Sequence, residues 1–293
     1  MKKYFFQKLC LFLLGICCFS CKYYTYGFEE FFYRSGTVDK RTDSVVELSG
    51  SEVPAFSDSK IVNILVITDI HFGAEANSES RNRWTGKLLN YLKNLPEAEK
   101  PLFCVCLGDI TEHGLKSEYK DYNKFVDKLF QLGIKTYSVL GNHDLYNSGW
   151  KSFNELVFPY TSFYYFKTDV FSYYFIDSAS GSLGKKQMDK LKELLIKDIN
   201  PKLVFTHIPT YANGYLYFSM QNTEERNLLI SMFAKNNVKA LCNGHTHDLQ
   251  VSNLGRFMEY TFPGFWEYKQ FGIISVNQND YSVLYKIIDL NKE

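Results

Sequence analysis

Seven side chains able to bind a metal through nitrogen or oxygen recur in this sequence, each just after a short apolar run. "IVNILVI" (61–67) leads to Asp69 and His71 in "TDIH". "LFCVCL" (102–107) leads to Asp109 in "GDITEHG", and "IKTYSVL" (134–140) to Asn142 in "GNHD", with His143 and Asp144 beside it. "KLVFT" (202–206) leads to His207, and "VKALC" (238–242) to His245 and His247 in "GHTH". Five of the six histidines lie at these ends. Alone, each fragment is an ordinary turn, because Gly, Asn and Asp favour turns. Together, in order and each behind an apolar run, they describe one site assembled from five strand ends. Imidazole suits Zn, Fe and related ions, while carboxylate and amide oxygens suit harder ions such as Mn.

Positioning such a set requires strands alternating with helices. The apolar runs are β-rich. Between them, Trp84, Leu88, Leu92 and Leu95 fall at helical spacing, and Tyr119, Tyr122, Val126, Leu129 and Phe130 form a second stripe that Gly133 ends. Met188, Leu191, Leu194 and Leu195 mark a third helix. Thr223, with Glu224 and Glu225 behind it, reads as a hydroxyl-capped start of a fourth. "SFYYF" and "VFSYYFI" predict a hairpin around residues 167–169, and the tail through Ile288 reads mostly as β. The alternation predicts an α/β fold with largely parallel core strands. In such folds ligands bind at the carboxyl ends of the strands, where the candidate residues lie.

The ordered set D-x-H, G-D, G-N-H-D, a lone H and G-H-x-H resembles the pattern of the calcineurin-like metallophosphoesterase superfamily, over roughly residues 60 to 288. The resemblance implies a four-layer α/β/β/α sandwich of two mixed sheets with flanking helices. It implies two transition-metal ions (Mn, Fe or Zn), one held by Asp69, His71 and His247 and the other by Asn142, His207 and His245, with Asp109 bridging both. Ions held about 3.5–4 Å apart can bind a phosphate oxygen and activate a hydroxide for in-line attack. By the same resemblance, His143 is the general acid, oriented by Asp144.

"GDITEHG" departs from the "GDxVDRG" of the superfamily's protein phosphatases, with Glu112 and His113 in place of Asp and Arg. That argues against a protein phosphatase and for the broad bacterial branch that includes phosphodiesterases. His113 is a candidate substrate contact or a solvated loop residue. The expected activity is hydrolysis of a small phosphate ester, with diesters favoured over monoesters. The alternative is a non-catalytic binding protein on the same fold.

A net charge of +1 gives no broad pull toward a nucleic-acid polymer. The aromatic stretches "YANGYLYFSM" and "YTFPGFWEYKQF" could rim a pocket; sheet packing is the simpler reading. The first 20 residues read as a secretory leader, with Lys2, Lys3 and Lys8 ahead of an apolar run from Leu9 to Phe19. Ser20 followed by Cys21 resembles a bacterial lipoprotein processing site, with Cys18 where an aliphatic residue is usual. Loss of the leader would take three lysines away and leave −2. The expectation is a lipidated Cys21 that anchors an exported protein to a membrane, with plain secretion as the alternative. Residues 21–59 then form a tether and N-terminal arm, and 60–293 the domain. Cys104, Cys106 and Cys242 show neither the number nor the spacing of a disulfide framework and read as small buried hydrophobes.

Overall fold

The computed structural model describes residues 34–56, 59–74, 78–212 and 218–293. Cys21 and the leader lie outside these residues. Two sheets stack face to face, and strand alternation explains why. In β2 (Ile61–Ile67), Val62, Ile64 and Val66 point inward between the sheets, while Leu65 and Ile67 point outward. In β3 (Phe103–Cys106), Phe103 and Val105 face in, and Cys104 and Cys106 face out. The same holds for β7 (Lys202–Phe205), with Leu203 and Phe205 inside and Val204 outside, and for β8 (Val238–Asn243), with Ala240 and Cys242 inside and Leu241 outside. Both faces are apolar because both are covered, one by the other sheet and one by helices.

The five-stranded sheet contains β2, β3 and β4 (Lys135–Ser138) in parallel, followed across β2 by antiparallel β11 (Gln270–Asn277) and β12 (Val283–Asp289). Its outer face packs against α2 (Ser78–Asn94), α3 (Lys116–Gln131) and, through Phe153, the short α4 (Gly149–Leu156). The seven-stranded sheet has the order β1 (Val46–Glu47), β5 (Tyr164–Lys167), β6 (Ser172–Phe175), β7, β8, β10 (Met258–Thr261), β9 (Gln250–Asn253). Strands β6, β7, β8 and β10 are parallel, and β5 and β6 form the expected hairpin. Its outer face packs against α5 (Gly184–Lys197) and α6 (Thr223–Lys235). The four-layer sandwich is as expected.

Two details differ. In α3, Phe125 is buried and Phe130 is 67% exposed, so the apolar stripe turns one residue earlier than the spacing suggested. The cap of α6 is Asn222, whose side chain accepts from the Glu224 and Glu225 N–H groups; Thr223 is the first helical residue. The N-terminal arm packs onto the domain. Its helix α1 (Arg34–Arg41) places Arg41 against buried Asp177 at 2.8 Å, and β1 pairs with β5. The three cysteines of the domain are free and buried. Among the described residues, no helix is long and apolar enough to cross a membrane.

Candidate metal centre

The ligand-bearing turns follow β2, β3 and β4 in one sheet and β7 and β8 in the other. The two sets of strand ends meet at one edge of the sandwich. Direct bonds close the seam: His207 Nδ1 donates to the Leu107 carbonyl at 2.8 Å, and the His245 N–H donates to Asp69 Oδ2 at 3.1 Å. The glycines ahead of the ligands permit this approach. A Cβ on Gly244 would lie 1.9 Å from Thr68 Oγ1, and one on Gly108 would lie 2.7 Å from His207 Nδ1. Asp69, His71, Asp109, His245 and His247 all have left-handed backbone, with φ between 46° and 72°. Non-glycine residues rarely take this conformation, and its clustering marks a site held under strain.

The seven expected ligands come together. Asp69, His71 and His247 bring one donor atom each within 4.8 Å of one another, and so do Asp109, His207 and His245. Asn142 Oδ1 joins the second group, 3.0 Å from His207 Nε2. Asp109 Oδ2 lies between the groups, 3.9 Å from His71 Nε2 and 3.4 Å from His207 Nε2. That is the place of a bridging carboxylate. His71 Nε2 and Asp69 Oδ1 are buried without a well-directed hydrogen bond, although His247 Nε2 stands 3.3 Å from Asp69 Oδ1. Orphaned buried polar atoms are costly unless something else satisfies them, and a cation fits this donor set.

The electrostatics agree. Burial pushes the Asp69 carboxyl up, but the His247 and His207 imidazoles outweigh it and hold it at about 2. Burial likewise opposes the charge on Asp109, and His207, His143 and His71 hold its carboxyl well below the usual range. Burial disfavours protonated His207 and His247, yet the facing aspartates raise both to about 9. Burial and the charge of His207 push His245 down to about 4. These are carboxylates seeking cations, and a metal would displace the imidazole protons.

Three residues beside the ligands are placed differently from expectation or were not anticipated. Asp144 does not reach the His143 ring. Its buried carboxylate accepts from the backbone N–H groups of Ile110, Thr111 and Gly141 and from the Thr111 hydroxyl, at 2.9–3.2 Å. It braces the Asp109 turn against the Asn142 turn. His143 is oriented by Glu112 instead, its Nδ1 lying 3.0 Å from the Glu112 carbonyl oxygen. Glu112 Oε2 also stands 2.8 Å from His71 Nδ1. The Glu267 carboxylate stands behind the other imidazole of this group, accepting from His247 Nδ1 at 3.0 Å. Carboxylates behind ligating imidazoles fix the tautomer and raise basicity. The sequence signal for Glu112 was its place three residues after Asp109; Glu267, twenty residues from its partner, carried none.

Beside the centre lies a cleft of about 640 Å³. The site residues Asp109, Asn142, His143, His245 and His247 line it together with Phe218, Asp248, Gln250, Glu267 and Tyr268. The two aromatic stretches therefore divide. Phe218 and Tyr268 reach the cleft, Tyr260, Phe262, Phe265 and Phe271 pack in the core, and residues 213–217 lie outside the described set. His113 does not line the cleft. Its Nδ1 pairs with Glu118 Oε1 at 2.8 Å, at the start of α3.

A family profile described as calcineurin-like phosphoesterase matches residues 62–249. No curated protein sequence matches significantly. Among solved structures, a dimetal phosphatase from Danio rerio is similar at a TM-score of 0.64 and 13% identity, over 79% of this chain and 97% of that one. The GAP50 protein of Plasmodium, described as an anchor in the inner membrane complex, is similar at 0.62 and 16%, over 80% and 86%. A purple acid phosphatase from yellow lupin seeds is similar at 0.56 and 12%, over 79% of this chain and 54% of that one. At these identities the structures share the fold. The profile match spans all five ligand-bearing strand ends and more than half of the chain, and on that ground the chain belongs to the calcineurin-like phosphoesterase family.

Proposed function

We propose that this protein is an exported hydrolase of small phosphodiesters that works with two transition-metal ions. The observation that carries the reading is Asp109 Oδ2 standing between two complete ligand groups at the floor of a cleft. Asp69, His71 and His247 would hold one ion, Asn142, His207 and His245 the other, and Asp109 both. Such a pair supplies Lewis-acid stabilisation of phosphate and a water made acidic enough to attack at neutral pH. His143, aligned by Glu112 and lining the same cleft, would deliver a proton to the departing oxygen.

The diester preference is supported by charge. Among the described residues no lysine or arginine lines the cleft, whereas Asp248 and Glu267 do. A monoester dianion meets more repulsion there than a diester monoanion. Purified protein supplied with Mn²⁺ should hydrolyse bis-p-nitrophenyl phosphate faster than p-nitrophenyl phosphate. The reverse order would remove the diester preference, and turnover of neither would favour a binding protein on the same fold.

Export rests on the leader and Cys21. Labelled fatty acid should enter the wild-type protein and not Cys21→Ser. Equal labelling of both, or of neither, would refute the lipid anchor and leave the enzymatic reading standing.

A further inference from the structure

Behind the centre, outside the cleft, one acidic side chain is buried in the seven-stranded sheet. Glu259 of β10 is 1% exposed. Its Oε1 accepts from the Thr210 N–H at 2.7 Å and from the Asn243 amide at 2.8 Å, and its Oε2 accepts from the Thr210 hydroxyl at 2.6 Å. Thr210 lies three residues after His207. Asn243 ends β8, two residues before His245. The carboxylate therefore joins the two turns that carry histidines of the same ligand group.

We propose that Glu259 is a positioning residue that sets His207 and His245 relative to each other, and so sets the affinity of the metal site they share with Asn142. The inference rests on the reading of these residues as a two-metal centre. Three features support it. A buried carboxylate is expensive to keep on a sheet face where its neighbours Phe257 and Leu241 pack as apolar side chains. What a carboxylate adds at this position is an Oε1 that accepts from both turns at once and an Oε2 that takes a further donor from the Thr210 turn. The other group depends on different supports: Asp69 and His71 leave β2, and His247 is held by Glu267 and by the Gly264 N–H donating to its carbonyl at 2.7 Å. Two backbone bonds, from the Thr206 N–H to the Cys242 carbonyl and from the Gly244 N–H to the His207 carbonyl, both at 3.0 Å, tie the main chains of the two segments together, and neither reaches the side chain of a ligand. Glu259 is thus the side-chain link that keeps them in register.

The test is titration of Mn²⁺ into metal-free wild type, Glu259→Gln and Glu259→Ala, with thermal melting to confirm folding. Asn142→Ala and His71→Ala identify which equivalent belongs to which group. Loss of supporting hydrogen bonds behind a ligand typically weakens metal affinity by roughly 10- to 100-fold. Glu259→Ala should weaken the equivalent that Asn142→Ala removes by about 10-fold, and leave the equivalent that His71→Ala removes unchanged. Glu259→Gln, which keeps the shape and one acceptor, should fall between wild type and Glu259→Ala. It decides the matter alone should the alanine variant fail to fold. Unchanged affinities, or an equal loss at both equivalents, would overturn the positioning role. Wild type taking up fewer than two equivalents would overturn the two-metal reading and this inference with it, and the wild-type titration reports that separately.

Discussion

Glu112 Oε2 stands 2.8 Å from Nδ1 of His71, and the Glu112 backbone carbonyl accepts from Nδ1 of His143 at 3.0 Å, so one residue braces a metal ligand with its side chain and the proposed acid with its main chain. Asp144, adjacent to His143 in sequence, spends its carboxylate on four donors in neighbouring turns. Substitutions at the two positions should therefore fail differently. Asp144→Ala strands buried donors and should cost roughly 3 kcal/mol of unfolding stability, visible in denaturant titration. Glu112→Gln should leave stability nearly intact and lower turnover about 10- to 100-fold, because it removes the charge behind the His71 imidazole. The opposite pattern would reassign both residues.

His143 should matter in proportion to how badly the leaving group needs a proton. A nitrophenolate departs without one, whereas an alkoxide does not. General acid catalysis typically contributes roughly 100- to 10,000-fold. His143→Ala should lose about that much on an alkyl phosphodiester and far less on the nitrophenyl ester, with metal content retained. An equal loss on both substrates would make His143 a phosphate-binding residue.

Metal content should follow the grouping of the ligands. Asp109→Asn should weaken binding at both sites, since Oδ2 faces both groups. His207→Ala should chiefly weaken one. Full metal content in Asp109→Asn by elemental analysis would end the bridging assignment.

Removal of metal by a chelator should leave a stability profile written by the site's own charges. Asp69, held at about 2, contributes stability that is present above the ordinary carboxyl range and fades as pH falls toward 2. His207 and His247, raised to about 9, contribute stability that is complete below pH 6.5 and fades as pH rises to 9. In between, His245, lowered to about 4, and Asp144, raised to about 6 by burial and Asp109, act with opposite signs and largely offset. The melting temperature should therefore be highest between about pH 4 and 6.5 and decline on both sides. Added metal should flatten the alkaline limb, because bound imidazoles are already deprotonated. A melting temperature rising steadily from pH 6.5 to 9 without metal would contradict this.

The strand ends were legible because two signals coincide there: short β-rich apolar runs such as "IVNILVI" and a glycine or polar ligand where each run stops. What escaped was whatever depended on side-chain direction or distant partners. Phe125 and Phe130 both fit an α3 stripe by spacing, and only the packing against Phe72, which also meets Tyr122, selects Phe125. Asn222 and Thr223 are both acceptable caps, and backbone geometry decides between them. Asp144 was paired with His143 by adjacency and family pattern, yet the turn after β4 points their side chains apart. Strand β1, two residues long, has too little pattern to announce its pairing with β5. The links from Glu259 to Thr210 and from Glu267 to His247 span 49 and 20 residues, and nothing local marks them.

The left-handed backbone at Asp69, His71, Asp109, His245 and His247 also constrains how these positions can vary. Outside glycine, that conformation is tolerated best by Asn, Asp and His, the residue types whose side chains ligate metals, and worst by β-branched ones. Conformation and chemistry thus select from the same short alphabet, and drift at these positions is channelled toward residues that still offer a donor atom. Alanine at any of the five confounds two losses, the ligand and the local backbone preference. Asparagine in place of either aspartate keeps the backbone at ease and changes the donor alone, which makes it the cleaner instrument for dissecting this centre.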